Sequence, residues 1–244
     1  MNQKSSFLFD SLAKWLYFEK KGLRMTEKKV KIVRPYTGIE EVLHSLVHGI
    51  GVLLSVAGLV VLVTIAAFRA DAWAVVSCAI FGTSLIVMYA MSTIYHAIPK
   101  ESAKKYLKKC DHIAIYYLIA GSYTPFLLVC LRGPMGWAMF GIIWGLAILG
   151  TILKLVLPTN GTKLWSVGLY LGMGWMVVLA SSRLVHSISK TGLIFLILGG
   201  LFYTLGIIFY VWKSRKYTHV IWHTFVLLGS IMHFFAVLFG CVLK

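Results

Sequence analysis

The chain of 244 residues is 59% hydrophobic and only 13% charged, whereas about a quarter of the residues in soluble domains are charged. This composition excludes a soluble globular protein and predicts an all-α integral membrane protein with several spans, placed in the cell membrane. The net charge of +16 does not indicate a nucleic-acid partner. The basic residues lie in the N-terminal segment and between apolar segments, where they set topology and contact anionic lipid head groups.

The N-terminal residues 1–39 are polar and basic, and we expect them to form a cytoplasmic tail. They contain no long apolar segment followed by a small-residue cleavage site, so insertion is expected to depend on the first span. Residues 40–244 are expected to form one seven-transmembrane domain. The four cysteines show neither a CxxC pair nor an extracellular spacing pattern, which favours isolated thiols. Cys110, directly before Asp111, is a less favoured alternative metal ligand.

Seven segments are apolar over about the 20 residues that a membrane span requires. They are residues 42–68, 73–98, 111–131, 135–153, 164–182, 191–212 and 219–242. Pro125 is expected to bend the third span, where neighbouring hydroxyl groups can satisfy the freed backbone groups. Two glycine pairs predict close helix packing within the bundle rather than a dimer surface. These pairs are Gly141/Gly145 and Gly168/Gly172.

The distribution of Lys and Arg predicts how the seven spans are oriented. Because the connecting segments alternate between the two sides, 19 of the 24 Lys and Arg residues fall on one side and 5 on the other. The positive-inside rule then places the N-terminus in the cytoplasm and the C-terminus outside. This orientation is opposite to that of rhodopsin-like receptors and disfavours that class.

The predicted topology brings polar residues from distant parts of the chain to the cytoplasmic face. His96 lies at the end of the second span and Asp111 at the start of the third. His219 and His223 occupy the first turns of the seventh span, four residues apart on one helix face. We predict that His96, His219 and His223 bind zinc, because catalytic zinc commonly takes three protein ligands and leaves one position for water. Ser92 lies beneath His96 on the same face of the second span.

The same residues suggest a hydrolytic chemistry. Zinc lowers the pKa of a bound water to about 7 and so supplies a nucleophile at neutral pH. We expect Asp111 to orient or deprotonate this water, and Ser92 to hydrogen-bond a ligand or a substrate oxygen. Carboxylates inside a membrane bundle are energetically costly and usually functional.

Other interpretations of these residues stay open at this point. An isolated HxxxH pattern is weak evidence for metal binding, and Val220 stands where the HExxH motif of zinc proteases has Glu. Asp111 can instead cap the third helix. His44 and His48 form a second HxxxH pattern at the start of the first span and are rival ligands. His233, deeper in the seventh span, is expected to have a core or supporting role.

Taken together, Ser92 to His96, Asp111, and His219 to His223 resemble the SxxxH…D…HxxxH pattern of the hemolysin III family. This family is related to the progestin and adipoQ receptors and, more distantly, to the alkaline ceramidases. The resemblance covers residues 40–242. It implies a seven-helix bundle with an internal cavity, zinc held by the three histidines, and Asp111 in contact with the zinc-bound water.

In the first span, the ExxNxxTH pattern of the family corresponds to Glu41, His44, Val47 and His48. His44 and Val47 replace the usual Asn and Thr. We therefore expect the hydrogen-bond network near the first span to differ from the family pattern, while the three proposed ligands are unaffected.

The resemblance to ceramidases and receptors implies hydrolysis of a lipid amide or ester, which fits a role in membrane-lipid homeostasis. The expected partners are membrane lipids, including a lipid substrate, with no nucleic acid. An alternative is a non-enzymatic hemolysin-like membrane effector or sensor in which zinc is structural. The family name implies cytolysis, but the chain shows no amphipathic pore-forming segment. Transport of ions or protons is disfavoured, because the polar residues cluster at one face.

Overall fold

A computed structural model describes residues 36–157, 163–212 and 214–244, and the expected tail over residues 1–39 lies almost entirely outside these ranges. Seven helices in the described residues are long and apolar enough to cross a membrane, and no strand occurs among them. The predicted all-α seven-span fold is confirmed. The helices are α1 (Gly38–Arg69), α2 (Ala72–Ala97), α3 (Glu101–Cys130), α4 (Pro134–Val156), α5 (Trp165–Ser187), α6 (Lys190–Val211) and α7 (Thr218–Val242).

The helices are not equally enclosed within the bundle. α2, α3 and α7 are the most buried, whereas α1, α4, α5 and α6 expose many large apolar side chains on their outer surfaces. An apolar outer surface is what a helix needs in contact with lipid. These three helices also carry the predicted site residues, with the proposed ligands on α2 and α7 and Asp111 on α3.

The start of α3 differs from its prediction. The helix begins at Glu101, so the basic segment expected to be a connector is helical and continuous with the span. Asp111 consequently lies inside α3, and the cap position is occupied by Lys100, which makes no side-chain capping bond. The interpretation of Asp111 as a helix cap is therefore wrong. Lys and Glu favour helix as strongly as apolar residues do, so a search for apolar residues alone misses such an extension.

A capping box fixes the beginning of α1. The Thr37 hydroxyl accepts from the Glu40 N–H, and Glu40 Oε2 accepts from the Thr37 N–H at 2.9 Å. The Glu40 side chain is buried, and its Oε1 accepts from the backbone N–H of Tyr217 at 2.9 Å. Because Tyr217 directly precedes α7, this bond places the first turns of α1 and α7 side by side.

The third helix changes from α-helical to π-helical geometry after Pro125, the residue at which a bend was predicted. Regular α-helix ends there, and the chain continues as a π-helical turn over Phe126–Cys130. The hydroxyl group of Thr124 donates to the Ala120 carbonyl at 2.9 Å. Proline removes one backbone donor and crowds the preceding turn, which explains why the distortion occurs at this position.

The four glycines predicted to mediate close packing do not do so. Within the described part of the chain, a Cβ would meet no atom within 4 Å at any of these positions, which are Gly141, Gly145, Gly168 and Gly172. The spacing of four places each pair on one helix face, but it does not say which face meets a neighbour. Close approach occurs instead at Gly51, where the missing side chain makes room for the ring of Tyr89.

Candidate metal centre

Five histidine rings meet at the end of the bundle where α1 and α7 begin. They are His44 and His48 of α1, His96 of α2, and His219 and His223 of α7. The ring centroids of His219 and His223 are 4.5 Å apart, and that of His96 lies 5.0 Å from His223. Potential ligand nitrogens of His96, His219 and His223 all lie within 4.8 Å of one another. The structure thus brings together the three residues selected from the sequence.

The Nδ1 atoms of two of these histidines are already held. Nδ1 of His96 donates to Glu41 Oε2 at 2.6 Å, and Nδ1 of His223 lies 2.5 Å from Nε2 of His48. The Nε2 atoms of His96 and His223 are buried and have no hydrogen-bond partner in the described part of the chain. Buried polar atoms are nearly always paired. An Nδ1 contact that leaves Nε2 unprotonated is the arrangement found in metal-binding histidines, so the residues present fit a metal ion.

Glu41 belongs to the first-span pattern noted in the sequence, but its role in the cluster was not predicted. Its Oε2 accepts from His96, and its Oε1 accepts from Lys104 Nζ at 2.5 Å. Lys104 lies in the unexpected N-terminal extension of α3, so this extension helps to fix the carboxylate. The available signal was weak: Glu41 and His48 are seven residues apart on one face of α1.

Tyr36 covers the cluster from outside the helices. Its ring stacks on His219 with centroids 5.1 Å apart and meets His44 edge-on at 4.8 Å. Burial raises the pKa of the Tyr36 hydroxyl, and the nearby Tyr95 raises it further. The phenol therefore stays neutral at physiological pH. Nothing in the sequence distinguished Tyr36 from the polar tail in which it was placed.

Asp111 and Ser92 lie beside the histidines, on the wall of an adjoining cavity that His219 and His223 also line. Asp111 belongs to neither of the two three-residue groups whose donor atoms lie within 4.8 Å of one another. The Ser92 hydroxyl is buried and has no hydrogen-bond partner among the described residues, although Asp111 is close enough to interact with it. Both side chains are thus positioned to act on a molecule in the cavity.

The cavity has a volume of about 410 Å³ and a predominantly apolar lining, which is within the size range of ligand-binding pockets. It extends from the histidines past His233 to Leu184 of α5. Two of its lining residues are also exposed on the outer surface, Trp175 by 51% and Ile197 by 54%. α5 and α6 make little direct contact with each other. The cavity therefore reaches the lipid-facing surface between these two helices.

The remaining candidates have distinct environments. His44 is fully buried, and neither ring nitrogen has a hydrogen-bond partner in the described residues. With Glu41 and His96 it forms a second group that could hold a metal ion. His233 donates from Nδ1 to the Gly229 carbonyl at 3.0 Å, as expected for a core residue. Cys110 is exposed and belongs to neither ligand group.

Seven apolar helices around a cavity, with a buried His/Glu cluster that could hold a metal ion, define a multi-pass membrane protein with a candidate metal centre. Residues 36–234 match the family described as "Haemolysin-III related". The chain belongs to the hemolysin III family.

Individual relatives agree with this assignment. The chain is 45% identical over 207 residues to "Hemolysin-3 homolog" of Bacillus subtilis (strain 168), covering 85% of this chain and 97% of the relative. It is 41% identical over 215 residues to "Hemolysin-3" of Bacillus cereus, covering 88% and 97% respectively. A more distant relative is the human "Monocyte to macrophage differentiation factor", 34% identical over 176 residues, covering 68% of this chain and 71% of the relative.

We predict that alanine substitution of His96, His219 or His223 removes a tightly bound metal ion. Each change leaves only two imidazoles, whereas stable sites of this type use at least three protein ligands. Metal content of the purified protein should fall from about one ion per chain to near zero. His44→Asn, which restores the residue usual in the family, should retain the metal, as should the exposed control His186→Ala. Metal loss in His44→Asn would shift the ligand set toward Glu41, His44 and His96.

A second prediction concerns the carboxylate that orients His96. Glu41→Gln keeps the size of the side chain but weakens the bond to Nδ1, so metal affinity should fall about 10- to 100-fold. Competition with a chromogenic chelator measures the change. Glu101→Gln, at an exposed glutamate in the first turn of α3, is the matched control and should bind metal like the wild type. Equal affinities of all three proteins would show that Glu41 does not support the metal site.

Proposed function

We propose that the protein is a zinc-dependent integral membrane hydrolase that cleaves an amide or ester bond of an acyl lipid and serves membrane-lipid homeostasis. The observation that carries this proposal is the direct opening of the histidine cluster into an apolar cavity that reaches the lipid-facing surface. A metal centre and a binding space for an acyl chain are thus contiguous.

The donor set supports zinc as the metal. Three imidazoles without a thiolate are a common ligand set of catalytic zinc, and the buried Nε2 atoms of His96 and His223 are available as ligands. When bound, zinc would lower the pKa of a water molecule and polarise the carbonyl group of a substrate. The Glu41–His96 bond supports this assignment, because it fixes the tautomer and the ring orientation of His96.

Asp111 and Ser92 supply the groups that act on the substrate. Asp111 would accept a proton from the attacking water and transfer it to the leaving amine or alcohol. Ser92 would donate a hydrogen bond to a substrate oxygen, which accounts for its unpartnered hydroxyl in the described residues. The cavity would hold the acyl group of the substrate, because its largely apolar lining shields the hydrocarbon of that group from water.

The charge distribution supports a cytoplasmic location for this end of the bundle. We propose that the reaction takes place there, just below the inner head groups. Lys104, Arg215 and Lys216 lie near this end of the helices and would favour anionic head groups.

One observation favours a second candidate, a hemolysin-like membrane effector or sensor with structural zinc. The ring of His44 lies 4.5 Å from that of His96 and 4.9 Å from that of His219, and its nitrogens lack hydrogen bonds in the described residues. If His44 supplied a fourth ligand, the site would be closed, as structural zinc sites are. Loss of zinc would then lower thermal stability without affecting any turnover.

The enzymatic proposal predicts that Asp111→Asn retains zinc but loses activity. Removal of a general base typically slows a reaction about 10²- to 10⁴-fold. Fatty-acid release from a panel of acyl-lipid amides and esters in proteoliposomes measures the effect. Asp71→Asn is the matched control, because Asp71 lies at the opposite end of the bundle, where it caps α2, and asparagine caps equally well.

Two outcomes of this experiment would contradict the proposal. The first is a zinc-loaded wild type without turnover on any lipid, combined with an Asp111→Asn variant that keeps its effect in cells. That result favours structural zinc. The second is full activity of the Asp111→Asn variant, which would remove Asp111 from the chemistry while leaving the metal site intact.

A further prediction tests the cavity. Gly200 of α6 lines it, and a Cβ added there would meet no atom within 4 Å, so Gly200→Leu should fill space without displacing the backbone. We expect turnover of long-chain substrates to fall about tenfold or more relative to short-chain ones, with zinc content unchanged. Gly141→Leu is the control, since Gly141 is equally open but lies outside the cavity lining. An identical chain-length preference in both variants would exclude the cavity as the acyl site.

A further inference from the structure

A pair of cysteines lies at the end of the bundle opposite the histidine cluster. Cys130 is the last residue of α3, and Cys241 lies in the last turn of α7. Their Sγ atoms are only 2.8 Å apart, and both side chains are buried. Both cysteines are free thiols in this structure, as expected from the sequence, but these two side chains are in direct contact. Their wide separation in the sequence hides a contact that only the packing of α3 against α7 creates.

The local backbone explains why the two sulfur atoms meet. Each cysteine lies in a π-helical turn, Phe126–Cys130 in α3 and Leu238–Val242 in α7. Such turns are wider than α-helical ones and re-aim the side chains that they carry. The carbonyl oxygen of Gly240, the residue before Cys241, lies 3.4 Å from Cys130 Sγ. The contact is thus part of the packing of both helix ends.

The cysteine pair lies at the end of the bundle where oxidation of thiols is favoured. α3 and α7 both start at the end that carries the histidines, so both finish at the opposite end, which the distribution of Lys and Arg assigns to the outside. Disulfides form and persist at cell surfaces, whereas cytosolic thiols are kept reduced. Of the other two cysteines, Cys110 lies near the start of α3 and Cys78 is buried within α2.

We propose that Cys130 and Cys241 are oxidised to a disulfide bond that joins α3 to α7. The oxidant is a disulfide-bearing thiol oxidoreductase of the outer membrane face. One cysteine thiolate attacks the disulfide of the oxidant and forms a mixed disulfide, and the second cysteine displaces the oxidant as a dithiol. The two cysteines together lose two electrons and two protons, which the oxidant gains.

This cross-link restrains the two helices that carry Asp111, His219 and His223 at their other ends. It closes a long loop, because the residues from the end of α3 to the end of α7 lie between the two cysteines. Cross-links that close long loops restrict the unfolded chain most. The inference concerns the stability of the bundle and does not depend on zinc or on hydrolysis.

Counting free thiols in the full chain tests the proposal. Cells are lysed under denaturing conditions with an alkylating agent, which blocks every free thiol. The protein is then labelled with a maleimide, in one sample without reduction and in a second sample after reduction. Two cysteines should be blocked by the initial alkylation, and two more should label only after reduction, out of four in total. Peptide mapping without reductant should recover the Cys130 and Cys241 peptides as one cross-linked product. Alkylation of all four cysteines before reduction, or a disulfide between two copies of the chain, would overturn the proposal.

Two variants provide the matched comparison. Cys130→Ser and Cys241→Ser should each leave three free thiols without reduction, while Cys78→Ser should leave one free thiol and the disulfide. Reductant should lower the thermal unfolding temperature of the wild type and of Cys78→Ser by about 4 °C or more, and should leave the other two variants unchanged. Should a serine variant fail to fold, peptide mapping of the wild type still decides the question.

Discussion

The carboxylate of Glu41 is the interaction on which the candidate metal centre depends. It accepts from His96 of α2 with one oxygen and from Lys104 of α3 with the other, and so connects three helices at one point. A charged group inside a membrane bundle is costly unless it is paired, and here both oxygens are paired. The same bond occupies Nδ1 of His96, while its Nε2 is buried without a hydrogen-bond partner among the described residues. Without it, the rotamer and the tautomer of His96 would be unspecified.

The overall fold could be predicted from the sequence because membrane insertion imposes simple rules. Spans must be long and apolar, and successive connecting segments lie on opposite sides of the membrane. These rules also place His96, Asp111 and His219 at the same end of the bundle, although they come from different helices. They do not predict where a helix continues as a polar segment beyond its apolar span, which is why the Lys-rich start of α3 was missed. They also do not show which face of α4 or α5 meets a neighbour, so the interpretation of Gly141 and Gly145 was wrong.

The details of the candidate site depend on how each helix is rotated about its own axis. In a soluble helix the apolar face reveals this rotation, but a lipid-facing helix is apolar all round. Three candidate ligands could therefore be predicted from their depth and spacing, while the contacts of Glu41 and Tyr36 required the structure. The same limit applies to Cys130 and Cys241, whose contact arises from two irregular helix ends.

The gap between α5 and α6 affects how a molecule enters the cavity. Because the cavity opens sideways through residues such as Trp175 and Ile197, an occupant can pass between the protein and the surrounding bilayer without crossing an aqueous phase. For the lipid substrate proposed above, occupancy would then follow its mole fraction among neighbouring lipids and not its solubility in the cytosol.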